Sequence, residues 1–440
     1  MSGPEPALAV PAVYAERRAR LARLMQRGLA IIPTAPARTR NRDSHYAYRY
    51  DSYFYYLTGF PEPEAVLVLI AGSEPKSMLF CREKDSEREI WDGQRFGPEQ
   101  ARTAFGIDEG RPVGALDESM PKLLADQPQL YCHLGSDLNW NERILKWLNA
   151  VRAQARSGVS APANILDIHV LLDEMRLIKD AHELATMRRA AHISTDAHKR
   201  AMRAARPGRA EFEIEAELLH EFRSRGAQAP AYTPIVAGGA NACVLHYVSN
   251  DAALRDGDLL LVDAGCELDG YASDITRTFP VNGKFSPVQR DVYQIVLAAQ
   301  AAAIAEVKAG AAWVAPHDAA VRVIVQGLID CGLCRGSVDQ VIESGAYKKF
   351  YMHRTGHWLG LDVHDAGDYK RDTRWRALEP GMVLTVEPGC YIRAGDGVPA
   401  RYANLGIRIE DDVLVTAKGA EVLTQAAPKT IPDIEALMRG

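Results

Sequence analysis

The chain has 440 residues, of which 47% are hydrophobic and 25% are charged, and its formal net charge is −5. That length exceeds one ordinary globular domain and predicts two, each with enough apolar side chains to build a core. The nearly balanced charge gives no electrostatic reason to expect a nucleic-acid partner, and no run approaches the roughly 18 apolar residues of a membrane-spanning helix.

Near the N-terminus an arginine cluster follows a short apolar stretch, in the segment MSGPEPALAVPAVYAERRARLARLM. A secretory signal has the opposite order, so the sequence predicts a cytoplasmic protein. The seven cysteines are odd in number and scattered, which argues against a disulfide framework. Cys331 and Cys334 form a lone C-x-x-C. Since no second pair could complete a zinc site, we interpret both as ordinary buried cysteines near a helix end.

The first part of the chain predicts a mixed α/β domain. Arg17–Met25 is expected to be helical, and the apolar runs IIP, AVLVLIAG and SMLF predict buried strands. This region has no G-x-G-x-x-G turn and lacks clustered histidines. Six tyrosines form an aromatic patch that we interpret as packing rather than as a ligand site. They are Tyr46, Tyr48, Tyr50, Tyr53, Tyr55 and Tyr56.

A long helical pattern marks the predicted domain boundary near residue 175. Glu174–Arg206 is charged and alanine-rich, with apolar residues at helical spacing, and it stops at Pro207–Gly208. We therefore predict an N-terminal domain over residues 1–175 and a C-terminal domain over residues 176–440. The C-terminal domain is expected to be rich in strands, with further helices at Glu211–Arg225, Gln289–Ala309 and His317–Cys331.

The segment GDLLLVDAGCELDGYASDITRTFP, residues 257–280, predicts a hairpin that turns at Asp269–Gly270. With those two residues in the loop, Asp263 lies opposite Thr276, and Asp274 points to the same face as Asp263. A slip of one residue would separate the two aspartates. Two carboxylates on one apolar face repel unless a cation or a shared proton compensates. The hairpin alone therefore supports two interpretations equally. Either both aspartates bind a metal ion, or one of them faces solvent.

The C-terminal third adds a group of histidines. His353, His357 and His364 lie in HRTGHWLGLDVHD, and His246 lies in VLHYVSN. His353 and His357 have the spacing of a helical zinc pair, but a glycine lies between them and the glutamate of H-E-x-x-H is absent. Three histidines within twelve residues, flanked by glycines, favour a chemical role over packing.

Two glutamates complete the candidate ligand set. Glu387 ends the apolar run MVLTV, and Glu410 lies in GIRIED with Arg408 on the same face by strand alternation. A buried glutamate at the tip of an apolar strand is costly unless it is paired or bound to a metal. Four carboxylates and one imidazole form a hard, oxygen-rich set. Such a set favours manganese, with cobalt or zinc as alternatives.

The elements D-x10-D, G-H-x-x-G, V-E-P-G and R-I-E-D occur in the order found in the pita-bread metallopeptidases. That family includes methionine aminopeptidase, prolidase, creatinase and Xaa-Pro aminopeptidase. The segments NRDSHYAYRYDSYFYYLTGFPEPEAVLVL, EIWDGQRFGPEQA and EMRLIKDAHELATMRRA resemble the N-terminal domain and the junction of its aminopeptidase P branch. The resemblance covers nearly the whole chain. It implies an α/β fold in which a mixed α/β N-terminal domain precedes a pita-bread catalytic domain.

The resemblance also implies roles for nine residues. The ligands of two divalent metal ions would be Asp263, Asp274, His357, Glu387 and Glu410. The residues around the substrate and the cluster would be His246, His353, His364 and Arg408. Two ions about 3.5–4 Å apart can bridge a water and make hydroxide near neutral pH. Glu387 is our candidate to receive its proton and deliver it to the leaving nitrogen, while His353 and His364 donate hydrogen bonds to the tetrahedral oxyanion.

The implied activity is hydrolysis of the N-terminal Xaa-Pro bond of peptides. The alternatives are a prolidase, which cleaves only dipeptides ending in proline, a nonpeptidase protein on the same scaffold, and a creatinase-like hydrolase. The complete ligand set counts against the last two. The resemblance also implies a homodimer or homotetramer and no membrane partner. Asp43, Trp91 and Arg374 are candidates to reach a neighbouring active site, but we interpret them as ordinary structure because single exposed side chains of these types are common.

Overall fold

The computed structural model describes residues 11–135, 137–395 and 397–439. The first ten residues, on which part of the signal-peptide prediction rests, lie outside this set. The chain divides into two compact units, one ending at Met175 and the other beginning at Arg176. Across the described ranges no helix has the length and apolar character that crossing a membrane requires.

The first unit is built on a six-stranded sheet with the order β6-β5-β4-β1-β7-β8. Its strands, together with a separate two-stranded β2–β3 ribbon, are β1 Gly28–Pro33, β2 Thr39–Asn41, β3 Ser44–His45, β4 Val66–Ala71, β5 Lys76–Cys81, β6 Glu109–Pro112, β7 Gln129–Cys132 and β8 Asn164–Asp167. Its helices are α1 Pro11–Met25, α2 Ser52–Thr58, α3 Ser86–Asp92, α4 Gly97–Ala104, α5 Leu116–Leu124, α6 Leu138–Arg152 and α7 His169–Leu177, the last of which spans the boundary. Within the six-stranded sheet the β1–β4 and β4–β5 pairs are antiparallel and the other three pairs are parallel, while β2 and β3 pair antiparallel.

These elements confirm the predicted mixed α/β class. The expected helix lies within α1, and the three apolar runs form β1, β4 and β5. Helix α6 shows why the core forms here, because Ile144, Trp147, Leu148 and Val151 recur at helical spacing and are buried against α5 and the sheet. The tyrosine patch is partly core, since Tyr56 is buried and Tyr46 is exposed.

One expectation for the first unit is wrong, because two of its histidines do cluster. The rings of His133 and His169 stack with centroids 3.8 Å apart, and His133 Nδ1 lies 3.3 Å from both carboxylate oxygens of Asp167. His133 and Asp167 meet because they lie at the carboxyl ends of the adjacent parallel strands β7 and β8. His133, Asp167 and His169 each offer one possible ligand atom, and these atoms lie within 4.8 Å of one another.

The prediction of one continuous helix over Glu174–Arg206 is wrong. Helix α7 ends at Leu177, and the next helix begins at Ala181. Asp180 caps that helix by accepting a hydrogen bond from the N–H of Glu183, while the Glu183 carboxylate accepts from the N–H of Asp180. This capping box is a local start signal that helical spacing alone does not reveal.

The second unit contains small antiparallel sheets and long helices. Its strands are β9 Ala229–Pro230, β10 Ile235–Gly238, β11 Leu259–Asp263, β12 Cys266–Leu268, β13 Tyr271–Ala272, β14 Thr276–Pro280, β15 Lys370–Arg371, β16 Arg374–Trp375, β17 Val383–Val386, β18 Gly389–Ile392, β19 Leu405–Arg408, β20 Asp411–Thr416 and β21 Gly419–Val422. Its helices are α8 Ala181–Ala204, α9 Glu211–Ser224, α10 Pro287–Glu306, α11 Ala315–Asp330, α12 Val338–Ser344 and α13 Ile431–Met438. The three predicted helices after α8 are confirmed as α9, α10 and α11, with ends that differ from the prediction by at most three residues. Apolar residues from these helices and from the sheets share one core.

The predicted hairpin register is confirmed. Asp263 pairs with Thr276, and the turn residues Asp269 and Gly270 both have positive φ, at 50° and 83°. The hairpin is nevertheless divided between two sheets, because β11 pairs with β14 while β12 pairs with β13. At the division the backbones approach so closely that a Cβ on Gly265 would lie 1.7 Å from the carbonyl oxygen of Ser273.

All seven cysteines are free thiols. Cys331 follows the last residue of α11, and Cys334 lies three residues later. Cys334 is buried as predicted, whereas Cys331 is only partly buried.

Candidate metal centre

All nine residues that the sequence singles out line one cavity of about 620 Å³ in the second unit. They are His246, Asp263, Asp274, His353, His357, His364, Glu387, Arg408 and Glu410. The structure therefore brings together side chains that are separated by as many as 164 positions along the chain, from His246 to Glu410.

Strand ends position the carboxylates. Asp263 is the last residue of β11, and Asp274 lies two residues before β14, so the hairpin register places both at the same end of that strand pair. Glu387 follows β17 directly. Glu410 lies between β19 and β20, where its N–H donates to the carbonyl oxygen of Thr276 at 3.0 Å. All four carboxylates thus lie at the end of an apolar strand or within two residues of it.

His357 is placed by backbone pairing with β17 rather than by a helix. Its N–H donates to Thr385 Oγ1 at 3.1 Å, and the N–H of Thr385 donates to its carbonyl oxygen at 2.9 Å. A Cβ on Gly356 would lie 2.0 Å from the carbonyl oxygen of Thr385, so the glycine is required by this close approach. The ring nitrogen Nε2 then lies 3.4 Å from Asp274 and 3.8 Å from Glu387.

Hydrogen bonds hold the carboxylates close to one another. The hydroxyl of Tyr232 lies 2.6 Å from Asp263 Oδ1 and 2.5 Å from Asp274 Oδ1. Thr276 Oγ1 donates to Glu410 at 2.6 Å. Asp274, His357 and Glu410 each offer one ligand atom, and these atoms lie within 4.8 Å of one another. Spacing arguments missed Tyr232, because a single tyrosine in a short loop carries no sequence signal of this role.

The cluster carries more negative charge than a buried site tolerates. Burial, with the charges of Asp274 and Asp263, raises the pKa of Glu387 to about 7 against the effect of His357. Burial and the neighbouring carboxylates raise the pKa of Glu410 far above its ordinary value. Burial opposes the charge on His357, but its pKa rises to about 9 because Asp274 and Glu387 face it. Divalent cations are the groups that such a crowded carboxylate set fits.

Arg408 supports the cluster through three contacts. Its guanidinium donates to Asp263 Oδ2 at 2.5 Å, to Thr276 Oγ1 at 3.1 Å and to the hydroxyl of Tyr391 at 2.9 Å. Tyr391 in turn lies 2.9 Å from His353 Nε2, while His353 Nδ1 lies 2.7 Å from the carbonyl oxygen of Arg354. Since a carbonyl oxygen only accepts, His353 carries its proton on Nδ1 and accepts at Nε2 from Tyr391. Tyr391 is a further residue that the sequence did not single out.

The remaining predicted candidates lie elsewhere. Asp43 and Trp91 are exposed in the first unit, Trp91 with 83% of its surface accessible, and Arg374 is exposed in the second. None of the three lines the cavity.

The chain is similar to known proteins over nearly its whole length. The sequence profile of metallopeptidase family M24 matches residues 185–417, and that of the aminopeptidase P N-terminal domain matches residues 14–131. The chain is 45% identical to a Xaa-Pro aminopeptidase of Haemophilus influenzae, over 97% of this chain and 96% of that protein. Its structure matches aminopeptidase PepP of Pseudomonas aeruginosa with a TM-score of 0.96, at 51% identity over 98% of both chains. It matches zinc-substituted Escherichia coli aminopeptidase P in complex with product with a TM-score of 0.96, at 44% identity over 98% of this chain and 99% of that one.

Proposed function

The chain belongs to metallopeptidase family M24, within the group that carries an aminopeptidase P N-terminal domain, and we propose that it hydrolyses the bond between the first residue of a peptide and a proline at the second position. One observation carries the proposal: the nine candidate residues line a single cavity of about 620 Å³. The names of the similar proteins favour an aminopeptidase over a prolidase.

Two divalent ions would be held by Asp263, Asp274, His357, Glu387 and Glu410. Manganese is favoured because four of the five donors are carboxylates, and cobalt and zinc remain alternatives. When bound, the ions supply a water of lowered pKa and positive charge beside the scissile carbonyl.

Glu387 would accept and return the proton. In the metal-free cluster, burial among carboxylates raises its pKa to about 7, and carboxylates are among the side chains that act as general bases. It lies in the cavity beside His357 at 3.8 Å, close to where a scissile bond would lie. Delivery of the proton to the leaving proline nitrogen would complete the step.

His353, His364 and His246 would each have a different role toward the substrate. Both ring nitrogens of His353 are engaged, Nδ1–H as a donor to Arg354 and Nε2 as an acceptor from Tyr391. A hydrogen bond from this ring to the reacting carbonyl therefore requires Nε2 to gain a proton as well as to lose Tyr391. His364 has no such engagement among the described residues and would donate to the developing oxyanion. His246, which also lines the cavity, would position the substrate.

A three-peptide assay tests the activity. The metal-free protein, reloaded with manganese, is expected to release alanine from Ala-Pro-Ala and to leave Ala-Ala-Ala intact. Faster cleavage of the dipeptide Ala-Pro than of Ala-Pro-Ala would instead establish the prolidase alternative. Metal analysis of the same sample is expected to give two ions per chain, and a value near zero in active protein would refute the metal assignment.

The remaining properties are also proposals. We propose that the two domains span residues 1–175 and 176–440, that the protein is cytoplasmic, and that it forms a homodimer or homotetramer. Light scattering on the eluting protein gives the oligomeric mass directly. A monomer at assay concentration would contradict the oligomer, and it would leave Asp43, Trp91 and Arg374 without a neighbouring site to reach.

A further inference from the structure

An irregular loop joins two histidines that face each other in the cavity. It runs from His357 to Asp365, and the rings of His357 and His364 approach edge to face with centroids 4.3 Å apart. The loop closes on itself where the N–H of Asp365 donates to the carbonyl oxygen of Trp358 at 2.9 Å. The position of His364 is therefore tied to that of the residue after it.

Asp365 is fixed by two buried cations. Its carboxylate accepts from Lys179 Nζ at 2.8 Å and from Arg176 at 2.5 Å, and all three side chains are at most 1% exposed. Arg176 also donates to Asp362, at 2.7 Å. Burial alone would raise the pKa of Asp365, but Lys179 and Arg176 hold it below the ordinary value. The carboxylate therefore stays charged and bonded to both cations.

The cations come from the break between α7 and α8. Arg176 lies in the last turn of α7, and Lys179 lies in the three-residue interruption, where its N–H donates to the carbonyl oxygen of Gly381 at 2.9 Å. Arg176 and Lys179 are the first R and the K of the segment EMRLIKDAHELATMRRA. The candidate metal ligands do not account for these two residues. The break turns Lys179 out of a helix and toward Asp365.

The packing around the carboxylate leaves little freedom. A Cβ on Gly360 would lie 2.2 Å from Asp365 Oδ2 and 3.0 Å from a carbon of Lys179. The loop backbone thus lies directly against the ion pairs. Displacing the carboxylate moves the loop that carries His364.

His364 lacks an orienting bond of its own. Among the described residues its ring makes no hydrogen bond, whereas His353 is held by Tyr391 and Arg354, and His357 by its bond to the carbonyl oxygen of Trp358. An oxyanion donor must be held within a fraction of an ångström to be effective. Its ring contact with His357 and the flanking backbone, fixed at Asp365, hold it in place.

We propose that Asp365, bound by Lys179 and Arg176, is the positioning residue for His364. The inference rests on the proposed function only in that His364 is taken to contact the substrate. The carboxylate of Asp365 binds Arg176 and Lys179 and does not line the cavity, so it acts by fixing the loop.

A double-mutant cycle tests this coupling. Asp365→Asn is expected to lower kcat by about 10- to 100-fold with little change in KM, because a small misplacement of a catalytic group costs that much. In a His364→Ala background the same substitution is expected to change kcat less than about 2-fold, since the group it positions is gone. Equal losses in both backgrounds would show a general structural role and overturn the proposal.

Two further variants keep the test decisive if Asp365→Asn does not fold. Lys179→Gln leaves the Arg176 pair intact and is expected to show the same dependence on His364, and Lys179→Arg is expected to restore most of the loss. Glu421→Gln is the matched control, because it removes a carboxylate that binds Arg188 through two nitrogens at the surface. It is expected to leave kcat unchanged in either background.

Histidine NMR separates this inference from the proposed activity. In zinc-loaded protein with labelled histidines, the His364 ring signal is the one lost in His364→Ala. That signal is expected to shift in Lys179→Gln and to stay in place in Glu421→Gln. An unmoved signal overturns the proposal even if the peptides are cleaved, and a moved signal supports it even if none is.

Discussion

Arg408 donates a hydrogen bond to Asp263 across 2.5 Å, inside a cluster that otherwise carries four carboxylates. The same guanidinium reaches Thr276 and Tyr391, so one side chain links a candidate metal ligand to the hydroxyl that engages His353. Burial opposes the charge on Arg408, but Tyr391, Asp263 and the other acidic groups keep its pKa well above the ordinary value. This cation offsets part of the negative charge before any metal binds.

Arg408→Lys is expected to lower kcat at least about 10-fold, because an ammonium cannot reproduce three donors in a planar fork. Steady-state kinetics and metal content on the same sample measure the effect. Arg393→Lys is the matched control, since Arg393 donates to the carbonyl oxygen of Cys243 and does not line the cavity. Wild-type kcat in Arg408→Lys would remove the guanidinium from its supporting role.

Glu387→Gln is expected to fold normally and to lower kcat by about 100-fold or more, the range for loss of a proton-transferring group. Circular dichroism and thermal melting establish the fold, and initial rates on Ala-Pro-Ala establish turnover. Glu379→Gln is the control, because that carboxylate is half-exposed and pairs with Arg376 at 3.6 Å. Turnover near the wild-type value would assign the proton transfer to another group.

Removal of metal by a chelator is expected to abolish activity, and addition of manganese is expected to restore it. The physical reason is that the crowded carboxylates provide no water of lowered pKa by themselves. Titration of manganese against activity should saturate at two ions per chain. Activity that survives chelation, with no metal left in the sample, would contradict a metal-dependent reaction.

The metal-free protein is expected to lose stability as the pH rises from 7 to 9. In this window unfolded carboxylates are ionised and unfolded histidines are neutral. The folded protein retains protons on Glu410, whose pKa is far above its ordinary value, on His357, whose pKa is about 9, and partly on Glu387, whose pKa is about 7. The folded state therefore binds more protons, and its stability falls by the order of 1 kcal/mol per pH unit for each proton retained.

Urea unfolding of the metal-free protein at pH 7, 8 and 9 measures this dependence. Saturating manganese is expected to reverse it, because metal binding requires deprotonated ligands and strengthens as the pH rises. A metal-free stability that is constant or increases across the window would show that the cluster does not retain these protons.

Gly356→Ala is expected to destabilise the protein and to abolish activity. The added methyl group would lie 2.0 Å from the carbonyl oxygen of Thr385, so His357 could not keep its pairing with β17. The cost of such overpacking is about 1–3 kcal/mol, or more where backbone must move. Gly395→Ala is the control, because nothing lies within 4 Å of its added Cβ. Equal melting temperatures and activities for the two variants would contradict the steric argument.

Local patterns in the sequence determined much of the cluster. The Asp-Gly turn fixed the register that sets Asp263 and Asp274 on one face, because side chains alternate with period two along a strand. Apolar runs that end in a carboxylate marked Glu387 and Glu410 as strand-end residues. The long helical pattern predicted a domain junction near residue 175, but it hid the break at Ile178–Asp180, since a three-residue interruption hardly disturbs the periodicity.

Tertiary structure alone decided which distant groups meet. The hydroxyl of Tyr232 between two aspartates, the engagement of His353 by Tyr391, and the salt bridges from Arg176 and Lys179 to Asp365 all join separate elements of the chain. Spacing carries information over a few residues, because it reflects the repeat of a helix or strand. Contacts between elements depend on how whole sheets and helices pack, so no local pattern contains them. The sequence by itself thus determined the candidate ligands and their places at strand ends, whereas packing of the second unit decided how these side chains and their supports converge.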